Sequence, residues 1–443
     1  GVKDTPSCTS RRRNLVEDTI QNGVKHTEYV WHPFTQHFIE PSSIAIVRGE
    51  GVYLYDEDGK QYIDAIASWW VNLHGHANTY MAQKVYEQAL KLEQVIFAGF
   101  THDPAIRLAE RLLSHLPANF QKVFYSDNGS TAVEVAIKMA LQFFHNQGNE
   151  KRRKIIAFED AYHGDTFGAM SLGAPSSFNA PFQDMLFEVE FIPNPKNEAL
   201  CLEALETKLK QAEGYAAIIF EPLIQGAGGM NMYAAETLDK IISLTKDQGL
   251  ISISDEIMTG FGRTGKWFAM DYLQQKPDIV CLSKGLTGGM MALGVTVCSD
   301  QLFESFLSSD RKKTLFHSHS FTANPLACAA ANASMDLMEE EATWSNIAAI
   351  EISHEAWKIK MAGHSIIKNV RCIGTIVACE LETVEKDGYL NPIRGKAYDH
   401  FIKKGILLRP LGNTLYILPP YCIKPTELAM IYLEIENFAS TIN

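Results

Sequence analysis

The sequence predicts an α/β protein: an open, doubly wound sheet flanked by helices, followed by a smaller α+β lobe. Three observations predict it. Short apolar runs alternate with helical periodicity between residues 120 and 299. At 443 residues the chain can bury one large core and still carry a second lobe. From about residue 345 the order changes to helix, strand, helix, strands and a final helix.

Composition narrows the function classes. Charged residues make up 21% and hydrophobic ones 46%, ordinary for a globular enzyme. The formal charge of −12, with no basic stripe, argues against nucleic-acid binding. No apolar run reaches membrane-span length and no signal-peptide core is present, so a cytoplasmic protein without membrane attachment is expected. Eight Cys show neither a CxxC pair nor finger spacing, and they read as reduced, packed thiols rather than metal ligands.

The elements follow in order. Residues 1–24 are polar, with Arg11-Arg12-Arg13, and are expected to form a solvated, partly disordered tail. An aromatic cluster, Trp31-His32-Pro33-Phe34-Thr35, precedes a hairpin pattern that turns at Asp58-Gly59. Trp69 and Trp70 end that pattern; on a strand they would face opposite ways, so at most one would line a cavity. His74-x-His76 lacks nearby ligands and reads as structural. Helical periodicity covers 79–97 and 104–116.

The strand KVFYSD then meets the turn Asn128-Gly129-Ser130-Thr131 and a helix. A small-residue turn opening a helix offers free N–H groups to a phosphate, although many such turns merely cap. It is neither a Walker loop nor GxGxxG, which counts against a nucleotide. The strand KIIAFED leads to Tyr162, placed to stack on a flat ligand, and YAAIIFEP ends in Glu221. After a helix at 235–248, the run LISIS delivers Asp255 and DIVCLS delivers Lys284; GVTVCS continues the sheet. The Ala-rich helix after Asn324-Pro325 suits close backbone packing. VRCIGTIVACELE reads as a strand, and GILLR closes on Arg409, a candidate carboxylate clamp.

Carboxyl ends of parallel strands face one crevice, so Asp255 and Lys284 can meet there. Singly, each is an ordinary surface or capping residue; together they suit one chemistry. A desolvated lysine drops from about 10.4 toward neutrality and becomes a Schiff-base nucleophile. A buried acid beside it needs a cation, and pyridoxal phosphate asks for both, a lysine for its aldehyde and an acid for its pyridinium.

In WHPFT, SWW, YHGDTFGAMS, EPLIQGAGGM, DEIMTGFGRTGK, SKGLTGG, NPLACAAANAS and RPLGN…YILPPY, the chain resembles class III (omega-type) pyridoxal-phosphate aminotransferases from Trp31 to its C-terminus. The resemblance implies fold type I: a seven-stranded, mostly parallel sheet in a large domain (76–330). It also implies a small α+β domain from both termini (25–75 and 331–443), and a homodimer with shared sites. Lys284 would carry the cofactor, Asp255 would face its ring nitrogen, Gly129 and Ser130 would bind its phosphate, and Tyr162 would stack on it. His319 and Ser320 would add cofactor contacts, Ser320 from the neighbouring subunit. Phe34, Trp69, Tyr162, Lys284, Ser318, Arg409 and Tyr416 would line the substrate pocket. Within the class, the segments resemble the branch that aminates 8-amino-7-oxononanoate in biotin synthesis. S-adenosylmethionine is the donor that Trp69-Trp70 suggests, whereas Phe34 and His317-Ser318-His319-Ser320 look closer to lysine users. A broader omega-aminotransferase for diamines, and a non-catalytic binding protein on the same fold, are the alternatives.

Overall fold

The computed structural model describes residues 29–40, 43–210, 212–384, 388 and 390–442, so the expected polar tail lies outside the described residues. The chain begins with an antiparallel meander: β1 (Ile46–Glu50), β2 (Tyr53–Asp56) and β3 (Gln61–Asp64), with Asp58-Gly59 at the second turn. The strands β4 (Phe120–Ser126), β5 (Lys154–Phe158), β6 (Val189–Ile192) and β7 (Tyr215–Phe220) follow. A short antiparallel pair, β8 (Ile224–Gln225) and β9 (Asn231–Met232), precedes β10 (Ile251–Asp255), β11 (Ile279–Leu282) and β12 (Gly294–Ser299).

Seven of these form one sheet in the order β4-β12-β11-β10-β7-β5-β6. Only β12 runs against its neighbours. The inner strands β7, β10, β11 and β12 are buried along their length because helices cover both faces, which is why they read as apolar runs, whereas the edge strands β4 and β6 are only partly buried. Alternate residues serve separate cores. Ile155, Ala157 and Ile219 join the helix Gly129–Asn146 on one face, while Ile156, Phe158, Ile218 and Phe220 join the core on the other. One edge therefore collects the carboxyl ends of β4, β5, β7, β10 and β11.

The second lobe mixes both ends of the chain. The strand β15 (Ile406–Leu407) pairs in parallel with β3, so a C-terminal strand completes the N-terminal sheet. β13 (Ile367–Ile373), β14 (Ile376–Leu381) and β16 (Thr414–Ile417) form an antiparallel sheet.

Four expectations need correction. VRCIGTIVACELE is two strands, β13 and β14, turned at Gly374 (φ 53°). Helix 79–97 stops at Ala89, because Phe97 leaves to pack edge-on against Tyr125 at 6.0 Å. The twin tryptophans are not on a strand but in a kinked turn, Ala67–Trp70. A boundary at residue 330 would cut the helix Pro325–Met338, which packs against the helices Thr79–Ala89 and Asp103–His115. The helix Glu341–Lys360 follows it.

Seven cysteines are free thiols among the described residues, five of them buried. No helix among the described residues is long and apolar enough to cross a membrane. His76 bonds to Asp64 at 2.8 Å and His74 to Ser334 at 2.9 Å, so the two imidazoles serve separate partners.

Gly374 lies directly against the backbone of residues 263–265. A Cβ there would lie 2.2 Å from the carbonyl carbon of Thr264, and its φ is one that L-residues resist. Gly374→Ala should therefore cost about 2 kcal/mol or more, read from the shift in urea midpoint. A loss below about 0.5 kcal/mol would mean that the 263–265 backbone yields freely.

Candidate active site

Lys284 follows β11 by two residues, beginning a short 3₁₀ turn (Lys284–Thr287) with φ at 48°. Ser283 anchors the turn by donating its hydroxyl to the Leu293 carbonyl at 2.7 Å. The Lys284 Nζ lies 4.4 Å from the centre of the Trp70 ring. Burial brings its ammonium down to about 8, and Arg263 adds to the lowering, while Asp255 and Glu221 pull the other way.

Asp255 is the last residue of β10 and is buried. Its Oδ2 lies 2.7 Å from His163 Nδ1, and its Oδ1 accepts the Ile257 N–H at 3.1 Å. His163 comes from the loop after β5, and its Nε2 is buried with no partner among the described residues. Glu221, just past β7, accepts the N–H groups of Tyr162 (3.1 Å) and Gly226 (2.8 Å). Burial pushes its carboxyl up to about 7; His163 opposes this and Asp255 adds to it. Three adjacent strand ends thus contribute one linked polar cluster.

The end of β4 supplies an anion cradle. Asn128 caps the helix Gly129–Asn146 by accepting the Thr131 N–H at 2.9 Å, and Thr131 returns a hydroxyl acceptor to the Asn128 N–H at 3.1 Å. Helix geometry leaves the N–H groups of Gly129 and Ser130 without an intrahelical acceptor. A Cβ on Gly164 (φ 132°) would sit 2.1 Å from Ser130 Oγ, so glycine is what lets the 162–166 loop lie against this helix end. Asp165 donates its N–H to Ser130 Oγ at 3.2 Å, closing the cradle.

On the open side, the Arg409 guanidinium lies 5.2 Å from the Trp69 ring. Arg409 is half-buried and makes no ion pair among the described residues. Phe34 meets Trp69 edge-on at 5.5 Å and Phe178 at 6.2 Å. Phe34 also lines an open cleft of about 560 Å³ with Trp31, His32 and Phe178, beside the Trp69 face rather than around Lys284. Tyr162 is partly exposed at the mouth.

The remaining expected site residues lie elsewhere. Tyr416 is buried on β16 and accepts the Trp70 Nε1–H at 3.0 Å, so it supports Trp70 from behind instead of lining the mouth. Ser318 and Ser320 are exposed and His319 is half-buried. The Ser320 carbonyl is held by Gln94 at 2.8 Å, and no hydrogen bond or ring contact among the described residues joins 318–320 to Lys284 or Asp255. Sequence reasoning missed His163 and Trp70. The signal for His163 was its place one residue after Tyr162; strand alternation misdirected the reading of Trp70.

The chain matches the family model of class III aminotransferases over residues 36–438. The chain belongs to the class III aminotransferases. It is 47% identical to an adenosylmethionine-8-amino-7-oxononanoate aminotransferase of Synechococcus elongatus, over 94% of this chain and 99% of that protein. A protein of the same name from Helicobacter pylori is 38% identical over 90% and 93% of the two chains. The crystal structure of the Methanocaldococcus jannaschii protein of that name superposes with a TM-score of 0.89 at 35% identity, covering 97% of this chain and 100% of that one. A pyridoxal-phosphate-bound amine transaminase from an uncultivated Pseudomonas species gives 0.87 at 27% identity, covering 94% and 99%.

Pyridoxal phosphate is the cofactor of this class III aminotransferase. The residues fit it on three independent counts: a lysine poised near neutrality, a buried acid braced by an imidazole, and an open helix N-terminus closed by glycines. The Lys284 shift has a direct consequence. Reconstitution of the cofactor-free protein with pyridoxal phosphate should accelerate with pH and level off above about 8, where the amine is neutral. An ordinary lysine would keep gaining up to about 10.4, so a profile still rising past pH 9 would contradict the burial argument.

Proposed function

We propose that this aminotransferase transfers an amino group to 8-amino-7-oxononanoate, giving 7,8-diaminononanoate in biotin biosynthesis. Relatives from 34% to 47% identity carry that activity in their names, whereas the amine transaminases superpose at 27% identity or less. The observation that carries the reading is Arg409: a half-buried cation held on the Trp69 face with no carboxylate opposite it among the described residues. That is the arrangement expected of a clamp for the carboxylate of a keto acid. A non-catalytic binding protein has no support, since Lys284 and Asp255 are both in place.

Gly129 and Ser130 would hold the cofactor phosphate, Asp255 its ring nitrogen, Lys284 its aldehyde carbon, and Tyr162 a ring face. Pyridoxal phosphate, when bound, supplies an electron sink for the carbon that bears the amine. Asp255 keeps its orientation because His163 and the Ile257 N–H hold both oxygens. The Lys284 Nζ moves the proton taken from the substrate carbon; with its ammonium near 8, about half the lysines are neutral at that pH. Trp70 shields Nζ from water on one side and favours the ammonium once formed, by about 0.5–2 kcal/mol. Donor and acceptor use the same groups in turn, so ping-pong kinetics are expected.

The donor is S-adenosylmethionine in this reading, the name carried by the relatives. Lysine is the alternative, favoured by Phe34 and the His317–Ser320 sequence. The chain works as a cytoplasmic homodimer, with His319 and Ser320 reaching the neighbouring cofactor and Ser318 its substrate. The exposure of Ser318 and Ser320, with no hydrogen bond or ring contact from 318–320 to Lys284 or Asp255 among the described residues, supports that arrangement. The small domain takes in the described residues among 29–75 and the segment after Met338.

Purified protein should convert 8-amino-7-oxononanoate to 7,8-diaminononanoate with S-adenosylmethionine. Product with lysine alone would reassign the donor, and none with any amine would overturn the acceptor. Arg409→Ala should raise KM for the keto acid by about 10- to 100-fold with little change for the donor, the size of one lost charge-assisted pair. Equal effects on both substrates would remove the clamp.

A further inference from the structure

Residues 66–72 follow a path that backbone preference does not choose. Ala67, Ser68 and Trp70 have φ of 51°, 62° and 67°, and none is glycine. Ser68 (φ 62°, ψ −85°) lies near the rare γ-turn of positive φ, and Trp69 is at φ −133°, ψ 61°. Such a stretch persists only where its surroundings over-determine it.

Two buried charges do so from opposite ends. Asp64, at the end of β3, has no exposed surface. Its Oδ1 accepts the Ile66 N–H at 3.3 Å; its Oδ2 accepts the Ser68 N–H at 2.6 Å and hydroxyl at 3.2 Å, and faces His76 Nε2 at 2.8 Å. Arg263, 1% exposed, donates to the far side of the same turn: Nη2 to the Asn72 carbonyl at 3.0 Å and, more weakly, to that of Trp70 at 3.5 Å. Its Nη1 donates to the Pro419 carbonyl at 2.6 Å, and it lies 5.0 Å from the Tyr421 ring centre. Arg263 makes no ion pair among the described residues, and its Nε has no partner there. A carboxylate thus grips the N–H groups at the start of the turn, and a guanidinium grips the carbonyls at its end.

The consequence is the placing of both tryptophans. Trp69 is turned outward onto Arg409 and Phe34. Trp70 is turned inward, against the Lys284 Nζ and bonded to Tyr416. We propose that Asp64 and Arg263 are positioning residues for acceptor specificity. By holding the twin-tryptophan turn in its strained path, they set the Trp69 face that orients Arg409 toward the acceptor's carboxylate. This rests on the acceptor reading above, and it assigns Ser68 the role of the strained link.

The test uses Asp64→Asn and Ser68→Gly holoenzymes. Asp64→Asn keeps the shape but loses the charge and sets an amide donor against one of the N–H groups that the carboxylate accepts; KM for 8-amino-7-oxononanoate should rise about tenfold, with donor KM and cofactor absorbance unchanged. Ser68→Gly is the variant that folds regardless, because Ser68 is exposed and glycine takes this φ without strain. It should raise the acceptor KM about threefold while its melting temperature is not lowered, a split that a core anchor does not produce. Acrylamide quenching of tryptophan emission, referenced to Trp69→Phe, should increase in both. Unchanged acceptor KM and unchanged quenching in Ser68→Gly would overturn the proposal, whether or not Asp64→Asn folds. If the native enzyme makes no 7,8-diaminononanoate, the acceptor reading falls, and the quenching difference alone decides whether the turn is held.

Discussion

A carboxylate buried at the end of β10 is the constraint around which the site is arranged. Removing Asp255 from water is costly unless both oxygens find donors and a positive charge stands opposite. His163 and the Ile257 N–H satisfy the oxygens, and in the proposed reading a protonated pyridine ring would complete the demand. That requirement explains why the loop after β5 must come back across the strand ends. It also explains why Gly164 sits where a side chain would strike Ser130. The phosphate cradle and the acid are therefore parts of one packing solution.

Lys284 is governed by the opposite demand. Its amine has to remain only weakly basic while three charged groups lie within electrostatic reach, two acids pulling it up and Arg263 pushing it down. Desolvation decides the balance, and the Trp70 ring lies 4.4 Å from the nitrogen. In the proposed reading the strained 66–72 turn would couple proton transfer to substrate recognition, since the preceding tryptophan, Trp69, faces Arg409. The ring beside the lysine and the ring beside Arg409 belong to adjacent residues of one turn.

Much of this was legible in the chain. Six of the seven strands appeared as apolar runs, the edge strand β6 being the one not read, and those that run parallel ended where a polar residue reached the crevice. Asp255, Lys284 and the Gly129-Ser130 turn lie directly at those ends, so short-range pattern and site coincide. The second lobe was harder. One apolar stretch held two strands, because the turn at Gly374 is set by contact with residues 263–265, more than a hundred positions away. The Ala-rich helix crossed the expected boundary because its partners, the helices Thr79–Ala89 and Asp103–His115, belong to the large lobe.

The amino-acid order by itself determined the α/β architecture, the lysine–acid pair and the helix end suited to a phosphate, since each depends on periodicity or on residues a few positions apart. Tertiary structure alone decided that His163 braces Asp255, that Tyr416 stands behind Trp70, and that Trp69 and Arg409 meet. These contacts join residues from 92 to about 350 positions apart, and the turn that makes two of them possible defies local preference. Long-range burial of charge, which no window of sequence displays, holds that turn in place.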